Sequence, residues 1–144
     1  VFNENGSNAG GWTSSDLNSL LNTRFYEALP VKIKLLIKQV TVNSSIGNGS
    51  KELSASQCYV SIPAAIELIN SYEVSGEPFV NEGEIISYMT SNDARKRAAV
   101  DGDYTPYWTR SQNVSYTYTI NEQGDLYGFN TAGTQNGVLI EISF

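Results

Sequence analysis

The chain has no histidine and only one cysteine in 144 residues, and these two absences remove much of enzyme chemistry. Nucleophilic catalysis by Ser, Thr or Cys ordinarily needs a base beside the nucleophile, and His is the usual one. A zinc or iron site needs His and Cys ligands at fixed spacing, which Cys58 cannot supply alone. A single thiol also excludes an internal disulfide framework and leaves the redox compartment open. Between Gln57 and Tyr59, Cys58 reads as a small buried apolar residue. Positive charge is scarce as well: nine Lys and Arg stand against fifteen Asp and Glu, a net of -6. That balance offers no footprint for a phosphate backbone, so nucleic acid and anionic membrane surfaces are poor partners. No apolar run approaches the ~20 residues that cross a bilayer, which excludes membrane insertion by a helix of this chain.

No Gly-rich loop ends in Lys-Ser or Lys-Thr and no dinucleotide fingerprint is present, so no cofactor is expected. Asp101, Asp103, Asn121, Glu122 and Asp125 are oxygen ligands, but the EF-hand spacing is missing and no metal is assigned. Glu82 with Glu84, and Asp101 with Asp103, come nearest to a catalytic carboxylate pair; both read as solvated loop charge. The chain is therefore expected not to be an enzyme.

The length suits one domain. Residues 1–11, rich in Asn and Gly, read as a leading loop or linker, and 12–144 as the domain. Val1 is not a start residue, so a longer protein is expected to contain this piece. Thr13 with Asp16 suggests a capping box, and Leu17, Leu20, Leu21, Phe25 and Ala28 then recur at helical spacing, which predicts a helix from Ser15 to Ala28. Pro30 ends it. A second helix over Val31 to Lys38 should turn Leu35 and Leu36 inward and leave Lys32, Lys34 and Lys38 wet. A strand at Val40 to Asn43 precedes an Asn, Ser and Gly surface loop over Asn43 to Ser50. Gln57 to Ile62 should be a buried strand, with Ser61 capping the helix that holds Ala65, Ile66 and Ile69. Asn92 to Val100 is the last helical stretch.

From Tyr104 the period changes to two, giving strands at Tyr107 to Ser111, Ser115 to Asn121, Leu126 to Phe129 and Gly137 to Phe144. The class is α+β, helices first and a small antiparallel sheet in the C-terminal half. Trp108 is expected in the core, with Arg110 bracing the structure by finding a buried acceptor or a rim carboxylate. The last forty residues otherwise consist largely of Tyr, Asn, Ser, Thr and Gly, residue types that make contacts rather than chemistry, as in antibody paratopes. The expected ligand-binding set is Tyr104, Asn113, Ser115, Tyr116, Tyr118, Asp125, Tyr127, Asn130, Thr134 and Asn136.

Gly10-Gly11-Trp12, Ser15-Asp16-Leu17, Leu21-Asn22 and Phe25 to Pro30, followed by Tyr107-Trp108-Thr109-Arg110-Ser111, Ile120 to Gly124 and Gly137-Val138, resemble the marks of a domain-of-unknown-function family from gut bacteria and their phages. That family is similar to C-type-lectin-like domains, including the formylglycine-generating type found in the variable proteins of diversity-generating retroelements. The resemblance implies a C-type-lectin-like fold with its ligand surface near the C-terminus, and Asn113 to Asn136 occupy that place. It implies receptor binding or adhesion at a phage tail fibre or a bacterial surface, with localisation in the virion tail or outside the cell. The partner would be a host-cell surface protein or glycan, and a tail fibre would make the domain a homotrimer. Gln112 replaces the family's usual Pro, Leu139-Ile140 replaces its Arg-Pro, and the sugar-binding signatures of calcium-dependent lectins are absent. Two alternatives stand beside this one: a structural assembly domain without ligand, and a formylglycine-generating-type oxidase, for which Cys58 alone is insufficient.

Overall fold

The computed structural model describes residues 1–144 and shows an α+β domain with two small sheets and few, short helices. The first helical stretch is one rod in three parts: α1 (Asp16–Leu20), a wide π-type turn (Leu21–Phe25) and α2 (Tyr26–Ala28). Ser15, not Thr13, caps it, its hydroxyl accepting from the Asn18 N–H at 3.0 Å. Asp16 instead anchors the preceding segment by accepting from the Glu4 N–H at 2.9 Å. The wide turn carries Asn22, whose amide accepts from Tyr59 and Val60 N–H at 2.8 and 3.0 Å and donates to the Val60 carbonyl at 2.8 Å. One side chain thus fastens the helix to the chain leaving the first hairpin.

The next helix, α3, is a single turn (Val31–Lys34). Only Ile37 reaches the core from this stretch, while Leu35 and Leu36 lie 80% and 60% exposed, which corrects their expected inward orientation. A helix this short has no length over which to present a continuous buried face. The strands β1 (Val40–Ser45) and β2 (Leu53–Cys58) form an antiparallel hairpin. Ser44 and Ser45 therefore belong to a strand and are buried, rather than opening a surface loop. The β2 strand ends where the expected one began. Beyond it, Ser61 does not cap the following helix α4 (Ala65–Leu68), whose N-cap is Ala64. Glu67 accepts from the Ala64 N–H at 2.7 Å and Ser111 Oγ from the Ala65 N–H at 2.8 Å, which satisfies two of the donors a helix start leaves free.

Three 3-10 turns lead to α5 (Asn92–Arg95), which stops five residues earlier than its sequence suggests because Lys96 turns extended and Ala98 bridges Tyr104. The second sheet contains β3 (Tyr107–Gln112), β4 (Thr117–Ile120), β5 (Leu126–Asn130) and β6 (Gly137–Val138), in the order β5-β4-β3-β6. It is mixed, not purely antiparallel: β6 runs parallel to β3. The expected closing strand shortens to two residues because the chain must leave this sheet. It makes single bridges instead, Glu141 to Ser61 and Ser143 to Lys38, and so ties the sheet to the first half of the domain.

Every residue of β3 is buried, since both faces of this central strand are covered. Trp108 packs with Phe2, Trp12, Leu17, Leu21, Cys58 and Val60, its ring 5.8 Å from Phe2 in an edge-to-face pair. Pairs of that geometry contribute about 0.5–1.5 kcal/mol beyond their area. Tyr107 enters a second cluster with Leu68, Met89 and Ile120, and Tyr118 a third with Ala64, Ala65, Ile66 and Val74. Residues 1–11 contain no helix or strand, yet Phe2, Asn3 and Asn8 are buried. Gly11, at φ 57°, runs so close to β1 that a Cβ there would overlap the Ser45 carbonyl.

Candidate functional site

Two assemblies of side chains hold the C-terminal sheet and what it displays. The first is centred on Arg110, which is 2% exposed. Its Nη1 donates to Glu67 Oε2 and to the Ile62 carbonyl, both at 2.7 Å; Nη2 donates to Glu67 Oε1 at 2.8 Å and to the Glu82 carbonyl at 2.6 Å; Nε donates to the Asn43 carbonyl at 3.0 Å. The guanidinium thus joins β1, the start of α4, the segment near residue 82 and β3, with the bidentate geometry that Arg and carboxylate favour. Bracing by a buried acceptor, expected from the sequence, is what Arg110 does.

The acidic residues around it are not loop charges. Glu82 is buried at 2% exposure, which corrects its reading as solvated. Its carboxylate accepts from the Ser45 N–H at 2.6 Å and from the Ser111 hydroxyl. Burial pushes its carboxyl above the ordinary range, against the hydrogen bonds and the Arg110 charge that pull it down. Glu141 lies 3.5 Å from Arg110 and accepts from the Ser61 hydroxyl at 3.2 Å. Burial and the nearby Glu67 raise its pKa to about 7. A second cation, Arg95, is equally buried and holds the turn before β5 through the Gly124 carbonyl at 2.7 Å, with the Met89 carbonyl at 2.9 Å and Asn92 completing its fork. The Tyr107 hydroxyl donates to the Arg95 carbonyl at 2.9 Å, and burial pushes that phenol up to about 12.

The second assembly is at the margin of the sheet. Tyr116, Phe129 and Tyr127 form a chain of edge-to-face contacts, with ring centroids 5.8 and 5.7 Å apart. Phe129 is 68% and Tyr127 43% exposed, so each ring is steadied by a neighbour while one side stays open to solvent. Asn113 and the exposed Ser115 lie in the turn beside them; Asn113 Nδ2 reaches the Gly128 carbonyl at 3.4 Å, and the buried Asn8 amide holds that turn through the carbonyls of Asn113 and Tyr116 at 2.8 and 2.9 Å. A cleft of about 340 Å³ opens next to it, lined by Tyr72, Glu73, Asn113, Tyr118, Gly128 and Phe129.

A family model described as a domain of unknown function matches residues 1–139. The chain belongs to the DUF6273 family. Comparisons with curated proteins and with solved structures give no match.

In this DUF6273 domain the sequence-derived surface set divides in three. Asn113, Ser115, Tyr116 and Tyr127 gather at the aromatic margin, with Asn130 behind them donating to Thr119 at 2.8 Å. Tyr104 and Asp125 belong elsewhere: Tyr104 lies under the Lys96 ammonium at 5.5 Å, and Asp125 accepts from Asn92 at 2.6 Å. Thr134 and Asn136 occupy the loop before β6, where Gly133 packs on Gly6 and Thr134 meets Thr131 at 3.1 Å. Tyr118 is a correction, since it is buried and packs edge-on against Phe79 at 5.6 Å. Its ring also covers Gly128, where a Cβ would come within 2.7 Å of Cε1, and so fills the space that a side chain would need. Phe129 was legible as the i+2 neighbour of Tyr127 on one strand face but lacks the polar handle that marked the others. Cys58 is buried, with the Trp12 indole N–H 3.4 Å from its sulfur.

Proposed function

We propose that this DUF6273 domain is a ligand-recognition module with a C-type-lectin-like architecture, carried on a phage tail fibre or a bacterial surface protein and directed at a protein or glycan of a host cell. The reading places the domain in the virion tail or outside the cell and gives it no reaction of its own. The observation that carries it is the open aromatic chain Tyr116, Phe129 and Tyr127 beside Asn113 and Ser115. Exposed aromatic rings on a soluble domain cost solubility, and those already packed against one another lose little entropy when a partner arrives. The bracing by Arg110 beneath the sheet supports the same reading, since a recognition surface gains from a scaffold that does not shift.

The test is retention of the labelled domain on a glycan array and on a panel of gut bacterial cells. Wild type should be retained, and the pair Tyr127→Ala with Phe129→Ala should lose retention by about tenfold or more with its unfolding transition kept, as expected for aromatic hot spots. Equal retention by the folded double variant would refute the assignment.

A further inference from the structure

We propose that the free edge of β5 takes an extended, basic polypeptide segment of another protein as an added strand, with Tyr127 and Phe129 gripping its side chains. This deepens the recognition reading above and rests on it. The sheet ends at β5: the order β5-β4-β3-β6 leaves no strand beyond Leu126–Asn130. Soluble proteins guard such edges with Lys, Pro, inward charges or a covering element, because the row of unpaired N–H and C=O groups is a template for another chain. The β5 strand, Leu126-Tyr127-Gly128-Phe129-Asn130, contains no Lys, no Pro and no charged residue. Its Gly128 carbonyl accepts from the Asn113 amide at 3.4 Å, a long bond, and the one irregularity of the strand is the register shift against β4 between Thr117 and Thr119.

Charge selects the occupant. After Arg110 the chain has no Lys or Arg at all, while Glu122 and Asp125 flank the turn into β5 and Glu73 lines the adjoining cleft. A second copy would bring the same acidic surroundings against itself, whereas a basic segment meets opposite charge at Glu122 and Asp125 before the strand and at Glu73 in the cleft. Strand addition uses main-chain hydrogen bonds for affinity and alternate side chains for choice of partner. Here the alternate side chains on the protein side are Tyr127 and Phe129.

The probe is acetyl-Lys-Val-Lys-Val-Lys-Val-amide, compared with a form N-methylated at alternate residues and with a form carrying Glu for Lys, titrated into the labelled domain by NMR. The unmodified peptide should shift the amides of Leu126 to Asn130, and each altered peptide should bind about tenfold or more weakly, since N-methylation removes the ladder donors and Glu reverses the charge. Equal binding by the N-methylated form, shifts confined to other elements, no binding by the unmodified peptide at millimolar concentration, or a peptide-free dimer through β5 would each overturn the proposal. Because the altered groups are on the probe, folding of a variant never enters the result. If cell or glycan retention depends on Tyr127 and Phe129 while the peptide fails, recognition stands and only the partner class falls. If the peptide binds at β5 while retention ignores both residues, the strand-addition site stands and the host-surface reading falls.

Discussion

Replacing Arg110 should damage this domain more than any surface change, and the structure fixes the size of the effect. Five short hydrogen bonds radiate from its guanidinium, two to Glu67 and three to the carbonyls of Asn43, Ile62 and Glu82. Arg110→Ala leaves the largely buried Glu67 carboxylate without its partner, and breaking one side of such a pair costs about 3–5 kcal/mol. Domains of this kind are stable by about 5–15 kcal/mol, so the variant would be marginal. Arg110→Lys keeps the charge, but an ammonium has three donors for five bonds. Losing two at about 1–1.5 kcal/mol each predicts a deficit of about 2–3 kcal/mol, between Ala and wild type. Urea unfolding followed by fluorescence measures both, because Trp12 and Trp108 are fully buried and must report on the core. A double-mutant cycle with Glu67→Gln should give a coupling above about 1 kcal/mol. An Arg110→Ala loss below about 1 kcal/mol, or an Arg110→Lys variant as stable as wild type, would refute the account of a saturated buried brace.

The pH dependence follows from Glu141. Its carboxyl pKa is raised from 4.5 to about 7 in the fold, so the folded state holds the proton more tightly and stability is highest below about 4.5 on this account. That contribution should be lost as pH rises to about 7, and Glu141→Gln should flatten this decline in denaturation midpoints measured across pH 4–8. Leu35→Glu with Leu36→Glu should change stability by no more than about 0.5 kcal/mol, because both side chains are exposed; a large loss in thermal melts would show that they pack. Tyr118→Ala should cost about 3–5 kcal/mol, as for other large buried rings, whereas Tyr127→Ala should cost under about 1 kcal/mol; equal losses would erase the border between core and margin. Gly11→Ala should destabilise by more than about 1 kcal/mol, since it combines a left-handed backbone with overlap on the Ser45 carbonyl; a neutral melt would contradict that close approach.

The α+β class, the helix after Ser15, β1, the first three of the four C-terminal strands and the burial of Trp108 and Cys58 were all legible along the chain. Each depends on period, caps or turn residues, which are local. The closing strand was expected to run to Phe144 and is two residues long, parallel to β3. Glu82 was misread because nothing near it in sequence foretells burial: its partners, Ser45 and Ser111, lie far away in both directions. Leu35 and Leu36 were misread for the complementary reason, since an apolar period predicts a buried face only where another element comes to cover it. The same limit separated Tyr118 from Tyr116. Strand alternation puts both on one face, but a register shift follows Thr117, and Gly128 leaves room for only the Tyr118 ring to sink inward.

Composition and pattern by themselves determined what kinds of residue this domain offers: aromatic rings and amides for contact, carboxylates in excess, no imidazole and one thiol. Tertiary structure alone decided which of them face water. A side chain's chemistry is fixed by its identity, whereas its burial is set by what packs over it, and at Arg110 that cover comes from Asn43, Ile62, Glu67 and Glu82, residues that meet only when the chain closes.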